Sequence, residues 1–197
     1  MIKRAVAGIR AGEPVVLPTD TVYGLCADAY HEEPVRRLYR LKGRDDGQPT
    51  ALVAADAAAL LDAIPELRGQ PLLRGPFTLI LPNPGRRLRW LTGDRPETIG
   101  VRIPAVFGDV AEVLQQVGAV AATSANRPGG PDPRSIDEIP QELRDGCAAI
   151  LDAGPLPGTP STVIDLSGRE PVVVREGAVP AGEAVELVRA AAAGARG

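Results

Sequence analysis

Short apolar runs alternate with stretches of helical periodicity along the whole chain. The spacing predicts helices over Ile2–Ala11, Pro34–Leu41, Asp56–Ile64 and Val106–Val117, a short helix within Ser135–Leu143, and a helix over Ala181–Ala193. Asp56 is a good N-cap, Pro65 stops the third helix, and Gly118 ends the fourth. Strands are predicted at Pro14–Leu17, Ala51–Val53, Phe77–Leu81, Ile99–Ile103, Ala119–Thr123, Ala149–Leu151, Thr162–Leu166 and Pro171–Arg175. Such alternation predicts an α/β domain. The 20 prolines favour a sheet of mixed direction with irregular edges over a regular doubly wound one. No internal repeat or long linker interrupts the pattern, so residues 1–197 are expected to form one domain whose last few residues fray.

Composition removes several classes. Hydrophobic residues make up 44% and aromatics 3%, so the core must be built from Ala, Val, Leu and Ile. A formal net charge of -3 argues against a general polyanion binder, while leaving room for a local basic pocket. Lys3 and Lys42 are the only lysines among 22 basic residues. Codon bias explains most of that skew, and Lys42 also fits a compact ammonium reaching into a pocket. Cys26 and Cys147 show no metal-ligand spacing and no disulfide framework, which points to a reducing cytoplasm. No leader and no membrane-length apolar run is visible.

Neither a GxxxxGK[ST] loop nor a GxGxxG turn after a strand is present. His31 is the single histidine and lies in a polar stretch, which reads as a solvated surface residue. Polar residues gather instead at strand ends. The run Pro18-Thr19-Asp20-Thr21-Val22-Tyr23-Gly24-Leu25 is either a ligand-presenting turn or an ordinary Asx-type turn. Lys42-Gly43-Arg44 ends a helix, where cations suit the dipole and could also grip a polyphosphate. Gly75-Pro76-Phe77-Thr78 reads as a tight turn before a core strand. Arg102, within Thr98-Ile99-Gly100-Val101-Arg102-Ile103-Pro104, needs either an internal carboxylate or an anionic ligand. Ala122-Thr123-Ser124-Ala125-Asn126 follows an apolar strand, where α/β sheets bind ligands. Ser161 in Pro160-Ser161-Thr162-Val163-Ile164-Asp165 could hydrogen-bond a substrate, and Arg175 could meet a phosphate.

Taken in order, PTDTVYGL, KGR, GPFTLIL, GVRIP, TSAN, and PSTVID followed by R-x-G at Arg175–Gly177 resemble the YrdC-like family, the threonylcarbamoyl-AMP synthases. The resemblance runs over nearly the whole chain and matches the short, single-domain type. It implies an open α/β fold with a twisted mixed sheet around a concave, positively charged cavity. It also implies formation of threonylcarbamoyl-AMP and pyrophosphate from L-threonine, bicarbonate or CO2 and ATP, with Mg²⁺ on the phosphates. Such chemistry needs positioning and charge neutralisation more than a tuned base, so no catalytic acid, base or nucleophile is expected. By the resemblance, Lys42 and Arg44 would hold the phosphates, and Thr98, Ser124, Asn126 and Arg175 would complete the ATP site. Thr21, Arg102 and Ser161 would hold threonine. The product would pass to a separate transferase that modifies tRNA.

Two departures stand out. Asp45 and Asp46 replace the proline that often follows the KxR arginine, and Thr50-Ala51-Leu52-Val53 lacks the histidine of longer members. Longer members also add a C-terminal domain for which this chain is too short. Two other readings fit the same fold: a carbamoyl-adenylate-forming enzyme, and a non-catalytic RNA-binding module using Arg86, Arg87 and Arg89 beside Trp90.

Overall fold

The computed structural model describes residues 1–194. The expected fraying of the last residues concerns 195–197, which lie outside the described residues. The helices are α1 (Ile2–Arg10), α2 (Glu32–Lys42), α3 (Ala57–Ala63), α4 (Gly108–Val117), α5 (Gln141–Asp145) and α6 (Ala181–Gly194). The strands are β1 (Val15–Pro18), β2 (Tyr23–Asp28), β3 (Ala51–Ala54), β4 (Phe77–Pro82), β5 (Thr98–Arg102), β6 (Ala119–Ser124), β7 (Ala149–Ile150), β8 (Thr162–Asp165) and β9 (Val172–Arg175). Local chemistry accounts for several ends. The Asp56 carboxylate accepts the Ala59 N–H at 2.9 Å, capping α3 before Pro65. Glu32 and Glu33 open α2, Arg40 and Lys42 close it, and Gly43 takes the left-handed conformation that terminates it.

Among the described residues all nine strands share one twisted sheet in the order β7-β1-β2-β6-β3-β5-β4-β8-β9. The pairs β1–β7, β3–β5 and β4–β8 are parallel and the other five are antiparallel, the mixed sheet expected from the prolines. One face carries Tyr23, Leu25, Leu52, Leu79, Val101 and Ile164 and packs beneath α2, α3 and α6. A side chain such as Leu52, fully buried here, contributes about 1.5–3 kcal/mol. The opposite face is covered only in part. There Val15, Leu17, Cys26 and Val120 lie under Val6 and Ile9 of α1 and Val110 and Val113 of α4. Beyond these two helices the same face stays open, and it carries the cavity described below.

Strand β2 is the main difference from the sequence reading. The run Pro18–Leu25 is a turn only over residues 19–22; Tyr23 already begins a strand. That strand is buried on both faces, so it lacks the alternation that marks a half-exposed strand. Two members of the expected basic stacking patch are engaged within the fold. The Trp90 indole packs against the core and donates to the Ala29 carbonyl at 2.8 Å, while Arg87 pairs with Glu66 at 2.8 Å.

Candidate functional site

The registers build the site. Gly24 lies opposite Ser124, Ala122 opposite Ala51, Val53 opposite Arg102, Gly100 opposite Ile80, Thr78 opposite Val163, and Val163 opposite Arg175. Side chains at paired positions share a face, so these residues form one continuous floor. It underlies an open cavity of about 440 Å³. Gly24, Ala51, Gly100 and Ala122 keep that floor low. A methyl added at Gly100 would meet Ala51 Cα and Thr78 Cγ2 at 3.8 Å, an ordinary contact. Packing therefore does not demand the glycine; the absent side chain leaves room above the sheet.

A register shift between Val163 and Ile164 aims Arg175. Val173 pairs with Ile164 on the core face, and strict alternation would send Arg175 to the same side. The extra residue, Val174, instead turns Arg175 toward the cavity beside Val163. Arg175 Nη2 donates to the Ser161 carbonyl at 2.8 Å, and Ser161 Oγ is 2.8 Å from Thr78 Oγ1. Gly177 of the R-x-G motif is needed here, because a Cβ would strike the backbone of Pro160 and Ser161.

A second corner joins α2 to the end of β6. Buried Lys42 donates to the Ser124 carbonyl at 2.5 Å and to Asn126 Oδ1 at 2.8 Å; Asn126 Oδ1 also accepts from Ser124 Oγ at 2.7 Å. Burial and the neighbouring Arg44 cation pull the Lys42 ammonium down to about 8, against an opposing pull from Asp132. Arg44 reaches Thr123 Oγ1 at 2.9 Å and the Pro49 carbonyl, and stacks 5.7 Å from the Tyr39 ring centre. Its buried Nε has no partner among the described residues. Burial lowers the Arg44 guanidinium below its ordinary range.

The third corner holds Arg102. Both partner types were open from the sequence, and the structure supplies a carboxylate: Nη2 donates to Asp20 Oδ1 at 2.5 Å and to Thr21 Oγ1 at 2.8 Å. Burial draws the guanidinium down while Asp20 pushes it back up.

Six of the nine residues singled out from sequence line the cavity: Arg44, Thr98, Arg102, Ser124, Ser161 and Arg175. Thr21, Lys42 and Asn126 stand behind it, each buried and bonded to lining residues or their neighbours. Thr19 lines the cavity where Thr21 was expected to do so, its own hydroxyl bonded within the turn. Thr78 was read as part of a structural turn, yet it faces the cavity while Phe77 and Leu79 face the core. The alternation within FTLIL carries that signal. Asp132 and Arg95 were not anticipated; both line the cavity, and Arg95 pairs with Asp165 at 3.1 Å. Asp45 and Asp46 turn outward, Asp45 onto the Gly47 N–H and Asp46 onto Arg36, so neither faces the arginine grip. His31 is exposed and bonded to Asp28, as a surface histidine would be.

An open mixed sheet carrying four arginines, two aspartates and a set of hydroxyls in one uncovered cavity defines an α/β protein suited to small anionic ligands. The chain belongs to the Sua5/YciO/YrdC family, whose model, described as Telomere recombination, matches residues 7–177. A relative from Mycobacterium tuberculosis is 34% identical over 195 residues, covering 95% of this chain and 88% of its own. A protein of Pyrococcus abyssi named threonylcarbamoyl-AMP synthase is 35% identical over 196 residues, 95% of this chain and 57% of its own. The crystal structure of P. abyssi Sua5 complexed with L-threonine superposes with a TM-score of 0.79 at 34% identity, covering 94% of this chain and 56% of that one. The chain thus spans a little over half the length of these archaeal proteins.

Proposed function

We propose that this chain is a threonylcarbamoyl-AMP synthase. The observation that carries the reading is the convergence of Arg44, Arg102, Arg175, Ser124, Thr98 and Ser161 on one cavity, in a chain 35% identical to a synthase of that name. In this reading the threonine amine adds to CO2 or bicarbonate to give a carbamate. A carbamate oxygen then attacks the α-phosphorus of ATP, and the bond to the β-phosphate oxygen breaks to release pyrophosphate. Negative charge gathers on the phosphates as the bond breaks, and fixed cations stabilise it without reorganising.

Arg44 and Arg175, with Thr98, Ser124 and Asn126, are assigned to ATP. Lys42 contributes its charge from one layer behind while holding the turn that carries Ser124 and Asn126. Threonine is assigned to Arg102 and Ser161, with Thr21 acting behind Arg102. Among the described residues no three His, Cys, Asp or Glu side chains converge as an ion cage. The Mg²⁺ is therefore assigned to arrive on the ATP phosphates as part of the substrate. The product would pass to a threonylcarbamoyl-transferase acting on tRNA. We assign the reaction to the cytoplasm; among the described residues no helix is long and apolar enough to cross a membrane.

Pyrophosphate release from ATP and bicarbonate, with and without L-threonine, tests the reading. Threonine-dependent release that falls in Lys42→Ala by the equivalent of about 2–4 kcal/mol supports it. No release with any amino acid refutes it.

A further inference from the structure

We propose that Asp20 is a positioning residue that fixes the Arg102 guanidinium at the cavity wall. The clamp itself rests on local geometry; the reaction it serves rests on the synthase reading above. Asp20 lies in the turn between β1 and β2, and Arg102 is the last residue of β5. One carboxylate oxygen, Oδ1, accepts from Arg102 Nη2 at 2.5 Å, and the other, Oδ2, accepts the Ala105 N–H at 2.9 Å. Asp20 thus ties the side chain that ends β5 to the backbone just beyond that strand. Both side chains are about nine-tenths buried, at 11% and 10% exposure.

The second anchor is equally committed. Thr21 Oγ1 accepts from Nη2 at 2.8 Å and lies 2.9 Å from Thr19 Oγ1, whose own proton goes to the Val22 carbonyl at 2.7 Å. That fixes the direction of the chain: Thr21 donates to Thr19 and accepts from Arg102. Both internal bonds therefore fall on Nη2 alone. Arg102 Nε is buried with no partner among the described residues, and Arg102 lines the cavity. The Nη2 corner of the fork is held by two anchors on residues 20 and 21, which fixes the orientation in which the rest of this cavity-lining guanidinium meets an anion. Asp20 does not line the cavity and both its oxygens are engaged, so it acts through Arg102.

Charge and position make opposite demands, and this separates them. Asp20→Asn keeps the shape and removes a negative charge beside an arginine, so affinity for an anionic substrate holds or improves. Loss of a fixed fork costs turnover, about 10²-fold for a misplacement on the order of 1 Å. The expected result is a kcat lowered about 10²-fold with KM for L-threonine unchanged or reduced. In an Arg102→Lys background the same substitution should lower kcat no further. Asp20→Glu, which keeps the charge but shifts it by one methylene, should also lower kcat. An unchanged kcat, a raised KM at constant kcat, or fully additive losses with Arg102→Lys would each overturn the proposal. The arginine Nη–H spectrum, with Arg102 assigned from Arg102→Lys, reads the clamp without turnover. A sharp, slowly exchanging signal that vanishes in Asp20→Asn supports the clamp, and one that persists overturns it. Absence of turnover in the unaltered protein would instead refute the synthase reading and leave this spectrum to decide.

Discussion

Binding of ATP is predicted to draw a proton onto Lys42. In the free protein this ammonium titrates at about 8 because it is buried and lies near Arg44. A phosphate charge placed about 6 Å away, at an effective dielectric of about 20, would favour the protonated form by about 3 kcal/mol. That is about two pKa units, enough to return Lys42 to about 10. At about pH 9 the free protein would hold about a tenth of a proton there and the complex about nine-tenths, so binding takes up about 0.8 proton. The apparent Kd for ATP, measured without threonine, should then be about tenfold weaker at about pH 9 than at about pH 7. Titration calorimetry in two buffers of different ionisation enthalpy reads both quantities, and Lys42→Met should abolish both. No proton uptake at about pH 9, or the same uptake in Lys42→Met, would refute the coupling. The free protein's stability moves the other way. The Lys42 pKa is depressed on folding, so between about 8 and the ordinary 10.5 the unfolded chain binds more protons. This group's contribution to stability therefore rises with pH across that window and is flat below it.

Two further outcomes follow from the cavity floor and the edge strand. Gly100→Ala should leave the thermal midpoint within a few degrees, since the added carbon meets only ordinary contacts, while calorimetry shows ATP binding weakened as side-chain volume rises above the floor. Deletion of Val174 removes the extra residue and leaves Arg175 opposite Val163 on the cavity side by plain alternation from Val173; pyrophosphate release should be retained, and a fall by the equivalent of about 2–4 kcal/mol would refute this account of how β9 aims Arg175.

Much of this architecture is written locally. The Asp56 cap and Pro65 stop bracket α3 in the sequence as they do in space. The alternation in Phe77–Leu81 marks β4, and small polar residues after Ala119 mark the cavity end of β6. What stayed hidden depends on partners far along the chain. Lys42 reads as a helix-terminal cation, but its bonds go to residues 82 and 84 positions away. Thr21 reads as a ligand contact because nothing nearby announces that Arg102 will bury it. Asp132 sits in a Gly/Pro-rich loop with no periodicity to orient it, and the turn of Arg175 depends on a register shift against β8. Strand β2 was missed because burial on both faces erases the period-two signal.

The strand order also bears on how the molecule comes into being. Among neighbours in the sheet, only β1–β2, β4–β5 and β8–β9 are consecutive in the chain. The strands that carry Gly24, Ser124, Ala51 and Arg102 meet through pairings that skip elements, and each such pairing must close a long loop before any contact rewards it. Chains dominated by such distant pairings fold slowly, on the order of milliseconds to seconds. The arginines of the cavity converge only when the central pairings and the β8–β9 edge are all in place. During refolding, the capacity to hold a nucleotide would therefore appear last, behind the gain of helix, and would report the finished sheet rather than its parts.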